Sequence, residues 1–155
     1  MEPGSKGKGR TVDESFERAR LHRRGLRDAI GGVEGALTSP ATDREAAWTE
    51  NLRLQVEALS HALDRHVEYS EGPDGLLTRI IADAPRLENK VRKAKADHDH
   101  LRSETTELLE ALSSGESVDK TRERTMALLA GLVRHRHVGS DLVYEAYMVD
   151  IEASD

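Results

Sequence analysis

Four stretches of this 155-residue chain carry apolar side chains at spacings of three and four. Leu26, Ala29, Val33 and Ala36 form one row, and Trp48, Leu52, Leu59 and Ala62 a second. Leu87, Val91, Ala94, Leu101 and Leu109 form a third, and Leu128, Leu132, Leu142 and Ala146 a fourth. A helix turns about 100° per residue, so each row lies on one helical face; a strand would scatter it over both of its sides. Composition agrees, since 34% charged and 3% aromatic residues suit solvated helices with narrow apolar stripes and not a β sandwich. The length supports one core. The chain is therefore expected to be all-α, an up-and-down antiparallel four-helix bundle over residues 11–150, between a flexible tail at 1–10 and a short tail at 151–155.

Caps and breakers set the expected boundaries. Thr11-x-x-Glu14 and Thr42-x-x-Glu45 have the form of capping boxes and open the first two helices. The first stops near Leu37, before Thr38-Ser39-Pro40; the second runs from about Asp43 to Ser70 and ends at Glu71-Gly72-Pro73-Asp74-Gly75. A short helix or turn, Leu76 to Ala82, precedes a third helix that starts at Pro85 and lasts to Leu112. After Ser113-Ser114-Gly115, Ser117 caps a fourth helix that reaches about Met148.

The chain has no Cys, which excludes disulfides, zinc fingers, iron-sulfur clusters and thiol nucleophiles and leaves His, carboxylate or water to hold any metal. Its formal charge of −6 gives no reason to expect nucleic acid as a partner. No apolar run is long enough to span a bilayer, and MEPGSKGKGR has no apolar segment of the secretion-signal kind, so a cytoplasmic protein without a membrane partner is expected.

The seven His are the unusual polar count. His22 shares the face of Leu26 and Val33, His66 that of Leu52 and Leu59, His98 that of Val91 and Leu101, and His135 that of Leu128 and Leu132. His61, His100 and His137 sit near the opposite faces. Depth gives a second criterion. His22 lies 17 residues before Ser39, His98 lies 16 before Ser114 and His135 lies 18 after Ser117, whereas His66, 24 after Thr42, is about two turns out of level. One inward His per helix at similar depth forms a constellation. Burying four imidazoles in a small core is costly unless their polar atoms share a partner, and a metal ion or a water cluster is the obvious one. His22, His66, His98 and His135 are the candidate metal ligands.

The order and spacing of these residues resemble the hemerythrin-like family, the HHE cation-binding domain. The matching segments are His66-Val67-Glu68-Tyr69-Ser70-Glu71 on the second helix, Asp97-His98-Asp99-His100-Leu101 on the third, and His135-Arg136-His137-Val138-Gly139 on the fourth, running on into Tyr144-Glu145-Ala146-Tyr147. The resemblance covers Val12 to Ile151. It implies a four-helix bundle holding non-haem iron and binding, storing or sensing a small ligand such as dioxygen or nitric oxide. The family's carboxylates four residues after the second-helix and fourth-helix His are replaced here by Ser70 and Gly139, and Arg102 stands four after His98. Four neutral imidazoles without bridging carboxylates suit one metal better than two. Glu71, one position late, and Asp141, four after His137, are the carboxylates available for a rearranged set.

Other features read as structural. Gly31-Gly32 and Gly35 lie in a helix with no preceding strand, so they mark a thin part of it and not a phosphate loop. Glu68, Glu71, Asp97 and Asp99 read as solvated helical carboxylates, and no nucleophile–base set accompanies them, so catalysis is not indicated. Tyr144 and Tyr147 read as packing residues. Gly131 and Gly139, one turn to either side of His135, imply close helix packing or room for a ligand. Two further readings stay open: a metal-free bundle serving as an interaction or regulatory module, and a bundle that takes an organic ligand or haem beside His135.

Overall fold

The computed structural model describes residues 12–148; the tails expected at 1–10 and 151–155, and Thr11 of the first capping box, lie outside the described residues. Helices α1 (Val12–Thr38), α2 (Glu45–Glu71), α3 (Leu76–Asp83), α4 (Glu88–Ser113) and α5 (Val118–Val143) follow in order. A 3-10 turn at Pro85–Leu87 leads into α4, and a π turn at Tyr144–Met148 ends α5. There is no strand among the described residues. The four long helices form the expected up-and-down antiparallel bundle, and no helix among the described residues is long and apolar enough to cross a membrane.

Local chemistry explains most boundaries. Ser117 caps α5, its hydroxyl accepting from the Lys120 amide at 3.3 Å. Gly115 takes φ +78° in the turn after α4, the left-handed position that a side chain would resist. Thr42, however, does not cap α2. Asp43 adopts φ 59°, a region that short polar residues tolerate, so the chain turns there and α2 begins two residues later than expected, at Glu45.

The core falls into two apolar clusters. The larger joins α1, α2, α4 and α5 through residues such as Val33, Leu52, Leu59, Leu101, Leu108 and Leu128. The smaller gathers Leu77, Ile80, Leu87, Val91, Leu142 and Ala146, so that α3 caps the bundle end where α4 begins and α5 finishes. Tyr147 adds to this end, its ring edge-on to Phe16 and its hydroxyl donating to Asp83 at 2.9 Å. Tyr144 is instead exposed and does not pack as expected.

The seams between helices are unequal. α1 packs along α2, α2 along α4 and α4 along α5, whereas α1 and α5 approach over only a short stretch. Gly131 serves close packing, because a Cβ there would lie 3.1 Å from Leu101 Cδ2 on α4. Gly139 has open space instead, with nothing within 4 Å of such a Cβ.

Candidate metal centre

On α4, His98 separates Ala94 of the smaller cluster from Leu101 of the larger; on α5, His135 lies between Leu132 and Leu142 in the same way. A polar layer thus interrupts the core. His98 is 1% exposed and His135 8%. His66 enters from α2, its ring 5.3 Å from that of His98 and 5.7 Å from that of His135, centroid to centroid. One donor nitrogen from each of the three rings lies within 4.8 Å of the other two.

His66 meets the others although its count along α2 puts it too deep. A helical side chain leans toward the N-terminus of its own helix. Because α2 and α4 are antiparallel, His66 and His98 lean toward each other, which closes the gap in level. The same rule carries His22 of α1 toward the end where α2 finishes. There it stacks on Tyr69, centroids 4.3 Å apart and planes within 15°. His22 therefore does not join the other three rings in the way expected; the structure assembles three histidines, with the fourth against an aromatic face beside them.

A carboxylate fixes one ring proton. Asp97 Oδ2 lies 2.8 Å from His135 Nδ1. An ionised carboxylate only accepts, so His135 Nδ1 carries a proton and donates to it. His135 Nε2 lies 2.9 Å from His98 Nε2. Glu71 Oε2 lies behind His98, 3.6 Å from its Nδ1, which is too long for a hydrogen bond. Each of these two rings thus has a carboxylate behind Nδ1 and presents Nε2 to the shared space. Asp97 had looked like any solvated helical acid; no spacing within one helix could reveal a partner on the next. Glu71, the last residue of α2, stands beside His98 without bonding it. Ser70 does not take part, since its hydroxyl donates to the His66 carbonyl at 2.6 Å.

His66 and His98 are held neutral. Burial, reinforced by the neighbouring His135, lowers the His66 pKa to about 4 and that of His98 to about 3. Three buried side-chain polar atoms among the described residues lack a hydrogen-bond partner, and two of them are His66 Nδ1 and His98 Nδ1; the third is Trp48 Nε1. Leaving such atoms unpaired costs about 1–3 kcal/mol each.

The remaining candidates fall outside this layer. His61, His100 and His137 are exposed, as is Asp141, so the pair His137 and Asp141 supplies no rearranged ligand set. Arg102 pairs with Asp64 at 3.0 Å on the surface. No family model, curated protein or solved structure matches this chain.

The three rings also line a cavity of about 440 Å³ in the α1/α5 seam. Its walls are mainly apolar, and Gly31 of α1 and Gly139 of α5 both border it.

Proposed function

We propose that the protein is a metal-binding four-helix bundle in which His66, His98 and His135 hold a single transition-metal ion, iron by the hemerythrin-like resemblance. The observation that carries this reading is the convergence of three imidazole ring nitrogens within 4.8 Å. The donor set fits an ion. Two nitrogens bound at about 2.1 Å and at right angles are about 3.0 Å apart, close to the 2.9 Å between the Nε2 atoms of His98 and His135. Carboxylates behind the Nδ1 atoms are the usual outer partners of metal-ligating His, fixing ring orientation and raising donor strength. No carboxylate belongs to the convergent set, which argues for one ion and against a bridged pair. Such an ion supplies open positions for a small ligand such as dioxygen or nitric oxide. The chain's own part is to keep His66 and His98 unprotonated, to orient His135 through Asp97, and to give access through the cavity.

Elemental analysis of untagged protein grown with iron tests this. About one equivalent of metal is expected in the native protein and in His22→Ala, falling below about a tenth in His66→Ala plus His135→Ala. Less than a tenth in the native protein, unchanged by reconstitution, would favour the metal-free reading. That reading is supported by the direct His98–His135 contact, in which one Nε2 donates to the other.

Asp97→Asn gives a finer test. It removes the charge behind His135 Nδ1 and is expected to weaken cobalt(II) binding about 10–100-fold in a competition titration, with little change in thermal stability. Unaltered affinity would mean that Asp97 does not orient the ring.

A further inference from the structure

We infer that the cavity in the α1/α5 seam is a binding site for a medium-chain aliphatic carboxylate, its chain lying along the apolar wall and its head group held by arginines at the mouth. This goes beyond the metal reading and does not depend on it.

Size is the first observation. A diatomic ligand needs little more than the ~30 Å³ share of one water, so it would occupy a small part of the 440 Å³ available. That volume falls in the range of organic-ligand pockets, about 300–1,000 Å³, and suits an occupant of about a dozen heavy atoms. Shape follows from the sequence. Gly31 and Gly139 border the cavity from facing sides of the weakly packed seam, and a Cβ at either would meet no atom within 4 Å. Helix-interior glycines cost stability relative to alanine; here two of them leave the space open.

The lining is divided by polarity. Leu26, Ile30, Leu77, Ile80, Leu132 and Leu142 form an apolar wall from three helices, with buried His98 and His135 and half-buried His66 at the inner end. His66 and His98 are neutral and attract no anion on their own account. Arg23 and Arg27 on α1 and Arg136 on α5 also line the cavity, and all three are exposed, which puts them at its mouth. None of the ion pairs found among the described residues uses them. Against these three guanidiniums the lining offers one carboxylate, Glu34. In a chain of formal charge −6, three unpaired cations around an apolar opening complement a single anionic head on an apolar tail. Guanidinium forks bind carboxylates in paired hydrogen bonds, and the surrounding apolar surface takes the chain. A neutral or cationic amphiphile of the same length would forgo the first contribution or oppose it.

Calorimetric titration of the chelator-treated full chain with octanoate, octan-1-ol and octylamine tests the proposal. Octanoate is expected to bind once, at least tenfold tighter than either analogue. Arg27→Glu plus Arg136→Glu is expected to weaken octanoate about tenfold or more while leaving octanol unchanged. Gly31→Leu, which fills the seam, is expected to weaken both ligands. Absence of saturable octanoate binding up to about 1 mM, equal affinity for all three probes, or octanoate affinity unaltered in Gly31→Leu would each overturn the assignment. Cobalt(II) uptake measured on the same variants keeps the two readings apart: uptake without carboxylate binding defeats this inference alone, and carboxylate binding without uptake defeats the metal reading alone.

Discussion

Replacing Gly75 by alanine is expected to destabilise the protein by about 3 kcal/mol, the largest effect of one added methyl group at any described glycine. Gly75 precedes α3 in an extended conformation, φ −75° and ψ 157°, which any residue adopts. The obstacle is space. A Cβ there would run into the Tyr69 carbonyl oxygen and lie 2.5 Å from that of Ser70. Both are main-chain atoms in the last turn of α2, so relief requires unwinding that turn or lifting α3 away. Either movement disturbs the residues that hold the histidine layer, because Ser70 hydrogen-bonds the His66 carbonyl and Glu71 reaches behind His98. Urea or thermal unfolding measures the loss, which corresponds to roughly 10 °C in Tm for a domain of this size. Gly25→Ala is the control. It adds a methyl group at an exposed α1 position with nothing within 4 Å, and is expected to stabilise by about 0.5–1 kcal/mol. A Gly75→Ala protein as stable as the native would mean that the turn between α2 and α3 is looser than its close approach implies.

The second large effect is on acid stability. In the unfolded chain His66 and His98 titrate near 6.5, whereas burial lowers them to about 4 and about 3 in the folded protein. Between those values the unfolded state takes up protons that the folded state refuses. Stability is therefore fully present above about pH 6.5 and falls as the pH drops toward 4, with a slope approaching about 2.7 kcal/mol per pH unit from the two rings together. Urea unfolding at pH 7.5, 6.0 and 5.0, with chelator present, should show the midpoint falling steadily. His98→Gln, which cannot take up a proton, should roughly halve the slope. A midpoint independent of pH from 7.5 to 5.0 would mean that the rings are not buried in neutral form. The same shifts favour metal loading, because ligating His must be neutral and these two stay so well below pH 7.

Much of the architecture was legible in the sequence because it is written in local signals. Apolar rows of helical period, the break at Glu71 to Gly75 and the Ser117 cap each act within a few residues of chain, and each appears where it was expected. The Thr42 box has the right letters and fails, because the backbone at Asp43 turns into the left-handed region before a helix can start. The inward faces of His66, His98 and His135 follow from rotation about single helix axes. Their convergence, and the diversion of His22 onto Tyr69, do not.

The sequence by itself determined an all-α bundle, the helix carrying each inward histidine and the absence of thiol chemistry, since periodicity and residue type act through local geometry. Only the tertiary structure decided that three rings share a space and a fourth does not, that Asp97 on α4 orients His135 on α5, and that the α1/α5 seam opens into an apolar cavity with cationic side chains at its mouth. The physical reason is common to all three. They depend on which helices adjoin, which way their side chains lean and how closely they approach, and distances between helices leave no periodic trace along any one of them.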